Sequence, residues 1–314
     1  MSVFFNLTSN PLTLFSTTSR LETKPPQFAM TTKGVSNPSE PTQWDSAAAQ
    51  YNDAVGRSSR IGATRLIAMA DSLSPLSAAD AHAIDLGAGT GSLTHQLASS
   101  FPAVPILATD ISPGMLEQLM ALNVRGSKIT TQVADMAAPV GGEAAEGAFS
   151  HVFSTMAIQV LPEPASEGTL AQWSRLLKPD GVIAIAIWDF DEDCGPHAIW
   201  NDACRAVDPS YVPPPQLPPR SWTGCSQLEE GLKVAGFRDV QAEVTHLGFD
   251  VGKEGFLRFF WESGNPMTLE CRGSFHGDLG KVRTEMERLL DEVYGGGSKI
   301  PLSAGLAVGR RPDT

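Results

Sequence analysis

Short apolar runs and helix-like segments alternate along residues 81–188. The apolar runs have the length of buried strands: Ala81–Leu86, Val104–Thr109, Ile129–Val133, His151–Ser154 and Val182–Trp188. The segments between them repeat apolar residues at helical spacing: Ser92–Ser100, Pro113–Leu122 and Thr169–Leu177. Such alternation predicts an α/β fold with a doubly wound, mainly parallel sheet and helices on both faces.

The pattern is less regular on either side of this region. Asp45–Leu73 is rich in Ala and predicts one or two helices, and Lys178–Gly181 predicts a turn before the strand at Val182. The later segments predict helices over Cys194–Val207, Ser226–Ala235, Gly255–Trp261 and Asp278–Tyr294, and strands over Val240–Leu247 and Ile300–Val308. The proline-rich stretch Pro209–Arg220 is expected to be an extended loop near the active site.

Composition and charge exclude several classes of partner and site. The chain has 314 residues and a net charge of −12, and this negative field disfavours nucleic acid or an anionic membrane surface as a partner. No run approaches 18 apolar residues, so we expect no membrane span. The four cysteines are spaced too widely for a zinc or redox motif and are expected to be reduced thiols of a cytoplasmic protein.

The chain divides by composition into a polar tail and a globular part. Residues 1–43 are crowded with Ser, Thr, Asn and Pro, and we expect a disordered tail there. An upstream extension, with the working start at Met30, would have the same character. The alternative to both is a transit peptide. Residues 44–314 are expected to form one domain. It would comprise a cofactor-binding core (44–190), segments covering the substrate (191–220 and 252–294) and a last strand (295–314).

A glycine turn follows the first predicted strand. Gly87, Gly89 and Gly91 stand where a doubly wound sheet binds a nucleotide, because glycine lets the backbone approach the ligand closely. A dinucleotide fingerprint would need a third glycine at position 92, which is Ser92. The carboxylate of Asp85 would repel a pyrophosphate but would balance the ammonium and sulfonium cations of S-adenosylmethionine. The charge pattern therefore favours S-adenosylmethionine as cofactor.

Two more carboxylates follow the next two strands. Asp110 is placed for its two oxygens to accept both ribose hydroxyls of a bound cofactor. Asp135 can accept from the adenine amino group, with Met136 and Ile111 on the two faces of the ring. The three carboxylates are thus expected to meet at one edge of the sheet.

These segments resemble the class I S-adenosylmethionine-dependent methyltransferases. The motifs that carry the resemblance are Ile84–Gly91, Thr109–Leu116, Ala134–Met136 and Leu176–Gly181. A closer similarity, to small-molecule methyltransferases of the ubiquinone and menaquinone type and their fungal secondary-metabolism relatives, is carried by Tyr51, Val55–Arg60, Ile300–Ala304 and Val308–Arg310.

The resemblance implies a Rossmann-like fold with seven strands, the last of them antiparallel. It implies that Tyr51 and Arg57 close over the methionine end of the cofactor and that Ser154 touches it. Ser150 and His151 depart from the family, whose members often carry an acidic residue there. The full set of expected cofactor-binding residues is Tyr51, Arg57, Asp85, Gly87, Ala88, Gly89, Gly91, Asp110, Ile111, Met115, Asp135, Met136 and Ser154.

Large aromatic residues cluster after the fifth strand. Each one alone is ordinarily a core residue. As a group they predict an apolar substrate cavity lined by Trp188, Trp200, Trp222, Phe260 and Trp261. If the acceptor is a hydroxyl, a base is needed, and His197 is the first candidate. No metal is expected.

The expected function is methyl transfer to a small, largely apolar metabolite, with oxygen, nitrogen or carbon as the acceptor atom. The alternative is a methyltransferase-like fold recruited for a reaction without methyl transfer, such as a cyclisation. A nicotinamide oxidoreductase and a silent binding protein rank lower. The protein is expected to be a monomer or a homodimer.

Overall fold

Seven strands form one sheet in the order β3-β2-β1-β4-β5-β7-β6 in the computed structural model. Their bounds are β1 Ala83–Leu86, β2 Pro105–Asp110, β3 Lys128–Val133, β4 Phe149–Thr155, β5 Leu177–Trp188, β6 Arg238–His246 and β7 Ser303–Arg310. The structure describes residues 44–45, 52–122, 124–161, 163–192, 194–213 and 222–311. The expected tail, Tyr51 and residues 214–220 of the predicted loop lie outside this part of the chain.

Nine helices of the described part pack on the sheet or beside it. Their bounds are α1 Gly56–Leu73, α2 Ser92–Ser100, α3 Pro113–Ala121, α4 Glu163–Leu176, α5 Gly195–Val207, α6 Cys225–Val234, α7 Gly252–Glu262, α8 Pro266–Ser274 and α9 Leu279–Glu292. None of these helices is long and apolar enough to cross a membrane.

The sheet is parallel from β3 through β5 and antiparallel around β7. Strands β1 to β5 pair in parallel, whereas β7 lies between β5 and β6 and is antiparallel to both. The prediction of a seven-stranded, mainly parallel, doubly wound sheet with an antiparallel last strand is confirmed. Strand order reverses between β1 and β4, and the crevice at the carboxyl ends of these strands is where open α/β sheets bind ligands.

The two faces of β5 show why the sheet is buried on both sides. Val182, Ala184 and Ala186 belong to the core under α1 and α5, and Ile183, Ile185 and Ile187 belong to the core under α4 and α6. A central parallel strand packs helices on both faces, so its sequence is continuously apolar rather than alternating.

The structure differs from the predictions at one strand boundary and in one additional helix. Residues 178–181 lie inside β5 rather than before it, with a register shift between the Phe149 and His151 pairs and a φ of 59° at Asp180. The four residues 178–181 lie opposite one residue of β4, so the predicted turn interrupts the pairing within β5 instead of preceding the strand. The helix α8 was not predicted, although Asn265 before Pro266 is a start signal and its side chain accepts from the backbone N–H of Met267 at 2.9 Å.

Candidate active site

A cavity of about 210 Å³ lies at the carboxyl ends of β1, β2 and β4. Nine of the predicted cofactor-binding residues line it: Asp85, Gly87, Ala88, Gly89, Asp110, Ile111, Met115, Asp135 and Met136. These nine residues come from three separate segments of sequence, which meet in one place because the strands of a parallel sheet end at the same edge.

The glycine turn places its backbone against the cavity. Gly87 and Gly89 have φ values of +70° and +55°, which residues with a side chain rarely adopt. A Cβ on Gly87 would lie 2.5 Å from the Cβ of Ala157, whereas a Cβ on Gly89 would meet no atom within 4 Å. Gly89 lines the cavity, so the free space beside it is space for a ligand. Gly91 precedes α2 and does not line the cavity.

Asp110 holds the glycine turn as well as facing the cavity. Its Oδ2 accepts from the backbone N–H of Gly89 at 2.8 Å, and its Oδ1 accepts from that of Ser112 at 2.9 Å. Burial raises the pKa of Asp110 above its usual value, and these backbone donors oppose the shift. Each carboxylate oxygen has a second lone pair, so both oxygens retain capacity for a ribose hydroxyl.

Asp85 is a deeply buried carboxyl group. Its Oδ2 accepts from the hydroxyl of Thr94 at 2.6 Å, and its Oδ1 has no hydrogen-bond partner within the described part of the chain. Burial raises its pKa to about 7, with a further upward contribution from the charge of Asp110 and an opposing one from the Thr94 hydrogen bond. A cation in the cavity would compensate this cost.

Two more buried polar atoms of the cavity wall have no partner among the described residues. They are the Oγ of Ser59 on α1 and the Oγ1 of Thr155 at the end of β4. A buried polar atom without a partner costs about 1–3 kcal/mol, so an unsatisfied group deserves an explanation. Together with Oδ1 of Asp85 they fit a polar ligand. None of the predicted contacts included Ser59 or Thr155.

Asp135 and Met136 follow β3. Oδ1 of Asp135 accepts from the backbone N–H of Ala137 at 2.8 Å, and the indole N–H of Trp173 donates to the carbonyl of Met136 at 2.7 Å. These bonds fix the backbone at the cavity rim, beside Ile111.

Two predicted cofactor residues lie elsewhere. The hydroxyl of Ser154 donates to the carbonyl of Leu86 at 2.9 Å and is fully buried between β4 and β1. Side chains alternate along a strand, so the next residue, Thr155, reaches the cavity instead. Arg57 is exposed and its Nη1 lies 3.5 Å from Asp250, in a groove apart from the cavity. The roles given to Arg57 and Tyr51 stay predictions.

A second cavity of about 80 Å³ adjoins the first. Trp44, Met156 and Val160 line both. The second cavity is mainly apolar and includes three predicted residues, Trp188, Phe260 and His197. Its described lining contains no Lys, Arg, Asp or Glu.

The other predicted aromatic residues do not line this cavity. Trp200 stacks on Phe260 with ring centroids 5.2 Å apart, and Trp261 contacts the same ring at 5.9 Å, so both support the wall from behind. Trp222 packs in the core on the opposite face of the sheet. Its placement corrects the prediction, because the faces of the sheet are assigned by the fold and not by the aromatic composition.

His197 stands beside a thiol. Its Nδ1 lies 3.3 Å from the sulfur of Cys194, and the ring of Phe190 meets it edge-on with centroids 5.2 Å apart. Burial raises the pKa of Cys194 to about 12, so its thiol stays protonated at neutral pH. Among the described residues, no group of three or more His, Cys, Asp or Glu could hold a metal.

Comparison with known proteins agrees with this geometry. A family described as "Methyltransferase domain" matches residues 83–181. A malonyl-[acyl-carrier protein] O-methyltransferase of Geobacter sulfurreducens is 32% identical over 232 residues, which cover 70% of this chain and 79% of that protein.

Two other relatives match over a shorter region. A malonyl-[acyl-carrier protein] O-methyltransferase of Hahella chejuensis is 43% identical over 31% of this chain and 33% of its own length. A trans-aconitate 2-methyltransferase of Deinococcus radiodurans is 32% identical over 34% of this chain and 38% of its own length. The match thus spans between about one third and two fifths of the length of these two relatives.

Among solved structures, one chain of the Haloferax volcanii complex between the Trm112 methyltransferase activator and a methyltransferase shares the fold. Its TM-score is 0.50 at 19% identity, covering 86% of this chain and 98% of that one. The chain belongs to the methyltransferases, in the class I group that uses S-adenosylmethionine. The family and the cofactor predicted from the motifs are confirmed.

Proposed function

We propose that this protein transfers the methyl group of S-adenosylmethionine to a small, largely apolar metabolite of secondary metabolism. The observation that carries the proposal is the junction of two cavities at Trp44, Met156 and Val160. One cavity has carboxylates and unpartnered polar atoms, and the other is apolar. A cofactor in the first would point its reactive end toward an acceptor in the second.

The residues of the first cavity fit S-adenosylmethionine in parts. Asp110 would accept the ribose hydroxyls, and Asp135 would accept from the adenine amino group between Ile111 and Met136. Asp85 would balance the ammonium group of the methionine end. Ser59 and Thr155 would supply further polar contacts at atoms that are otherwise unsatisfied.

Methyl transfer does not require the protein to form a covalent bond with the substrate. The sulfonium of the bound cofactor supplies a methyl group that is already activated for displacement. The residues here would therefore act by alignment and by excluding water, and alignment is worth about 7–11 kcal/mol in favourable systems.

His197 is the proposed base for an acceptor that must lose a proton. For its Nε2 to accept that proton, Nδ1 has to carry the other proton and donate to the sulfur of Cys194. The protonated thiol of Cys194 can accept this bond weakly. We expect His197→Gln to lower turnover while leaving affinity for S-adenosylhomocysteine unchanged. Equal loss of both would assign His197 a structural role.

The apolar cavity indicates an acceptor different from the acids named in the relatives of this protein. The names of the relatives give acids as acceptors, a malonyl group and trans-aconitate, and both of these carry carboxylates. The described lining of the second cavity contains no Lys or Arg to balance such a charge, and burying an unpaired carboxylate is costly. We infer that the reacting end of the acceptor is neutral.

Calorimetry on the full chain tests the cofactor assignment. S-adenosylmethionine and S-adenosylhomocysteine are each titrated, alongside NAD and NADP. We expect micromolar binding of the first pair alone, and Asp110→Ala to weaken it by about 2–4 kcal/mol through loss of charge-assisted hydrogen bonds. A metabolite screen for the mass gain of one methyl group then tests the transfer. Binding of neither pair would refute the proposal.

A further inference from the structure

A groove with three arginines lies beside the apolar cavity. It runs between the start of α1 and α7, and we call it the arginine groove. Its lining is Asp53, Ala54, Arg57, Arg60, Asp250, Val251, Gly255, Arg258 and Phe259. None of the charged residues of this groove lines the cofactor cavity or the apolar cavity.

The charge of this groove is opposite in sign to that of the protein. The whole chain has a net charge of −12, whereas the groove has three guanidinium groups against two carboxylates. Within the described part of the chain, Arg57 is the one arginine of the groove that forms an ion pair, with Asp250 at 3.5 Å. The side chains of Arg60 and Arg258 form no ion pair or hydrogen bond with the described part of the chain.

Phe259 connects the arginine groove to the apolar cavity. This residue lines both, and the two residues that flank it on α7 point apart. Phe260 lines the apolar cavity, and Arg258 lines the groove. A molecule too long for the apolar cavity would therefore pass Phe259 and meet the guanidinium groups of Arg258 and Arg60.

We propose that the arginine groove binds an anionic group, a carboxylate or a phosphate, at the far end of the acceptor. The acceptor is then an amphipathic molecule whose neutral, apolar end is methylated. This inference rests on the proposed function and specifies its substrate class. Guanidinium groups suit this role because they stay charged and bind the oxygens of carboxylate and phosphate in pairs.

Alkyl probes of one length test the groove. Octanoate, octyl phosphate and octanol are titrated by calorimetry into the full chain at low salt, with and without saturating S-adenosylhomocysteine. We expect one or both anions to bind about tenfold more tightly than octanol, since hydrogen bonds to charged groups carry the difference. A preference for one anion would identify the source of the charge as carboxylate or phosphate.

A double variant, Arg60→Gln with Arg258→Gln, is expected to remove the advantage of the anions and to leave the binding of octanol unchanged. The matched control is Arg283→Gln with Arg288→Gln on α9, which removes the same charge from residues outside the groove. Arg57 is kept, because a role at the cofactor is predicted for it.

The outcomes separate this inference from the proposed function. Equal affinity for octanol and the anions, an advantage that survives the groove variant, or no binding of any probe would overturn the anion site. If the wild-type chain does not bind S-adenosylhomocysteine, that result counts against the proposed function, whether or not the alkyl probes bind.

Discussion

Asp85 couples the cofactor cavity to pH. In the free protein, burial raises the pKa of this carboxyl group to about 7, and the charge of Asp110 adds to the shift. A bound ammonium group favours the ionised form and lowers that pKa. Binding of S-adenosylhomocysteine therefore has to release a proton from Asp85 when the pH lies below about 7.

We predict that affinity for S-adenosylhomocysteine rises with pH up to about pH 7, by at most about tenfold per pH unit, and then levels off. Calorimetry in buffers of different ionisation enthalpy counts the released protons. The variant Asp85→Asn should bind more weakly and lose this dependence. A wild-type affinity that stays constant between about pH 5.5 and 7 would contradict the assignment.

Gly89 is required for the space beside it as well as for its backbone. We predict that Gly89→Ala abolishes measurable cofactor binding, because its Cβ would enter the cavity. The matched control is Gly126→Ala, whose φ of +82° imposes a similar backbone strain and whose Cβ also meets no atom within 4 Å. Both variants should lose about 1–2 kcal/mol of unfolding free energy, and only the first should lose binding. Retained binding in Gly89→Ala would show that the ligand does not occupy this space.

Among the elements, the start of α3 forms hydrogen bonds both to Asp110 and to Asp45, which precedes α1. The Oγ of Ser112 accepts from the backbone N–H of Met115 at 3.0 Å and donates to Asp45 at 2.5 Å. Oδ1 of Asp45 also accepts from the backbone N–H of Gly114 at 3.0 Å. Ser112 therefore caps α3 and holds Trp44, the neighbour of Asp45, near the cavity junction.

We predict that Ser112→Ala lowers the free energy of unfolding by about 1 kcal/mol, the usual cost of losing an N-cap. Urea titration measures this change. The control is Ser174→Ala, whose hydroxyl makes only a local bond to the carbonyl of Ala171. If the two variants are equally stable, Ser112 is not a functional cap.

The elements also show where sequence patterns succeed. β5 and the glycine turn were predicted because continuous apolar character and glycine spacing are local properties of the chain. Helix α8 is not predicted because its cap, Asn265, stands in a region without regular periodicity, whereas α2 and α3, which are equally short, follow predicted strands. The turn-forming residues at 178–181 are a local signal, but their position within β5 depends on the pairing with β4.

At the scale of the whole molecule, the cofactor cavity is built from β1, β2, β4 and α1 together. A ligand that binds there and not to the unfolded chain stabilises the entire fold. We predict that S-adenosylhomocysteine at about 100 times its Kd adds about 2.7 kcal/mol to the free energy of unfolding. For a domain of this size that raises the Tm by roughly 4–5 °C.

Thermal unfolding followed by circular dichroism checks this value, with NAD at the same concentration as the control. A shift produced equally by both ligands, or by neither, would mean that the cavity does not select the sulfonium cofactor or its product.

The layers of this protein and the carboxylates at its strand ends can be predicted from the amino-acid sequence alone. Local patterns along the chain are enough to find three features, because each depends on residues that are close in sequence. They are the alternation of strands and helices, the turn at Gly87–Gly91, and the acidic residues Asp85, Asp110 and Asp135.

Which side chains meet across the sheet depends on the tertiary structure. Thr155 rather than Ser154 reaches the cofactor cavity, Trp188 and Trp222 lie on opposite faces, and Arg258 and Arg60 line one groove although they are distant in sequence. The physical reason is that side-chain direction and long-range packing depend on strand register and helix placement. Those are fixed by burial over the whole fold and not by any one segment.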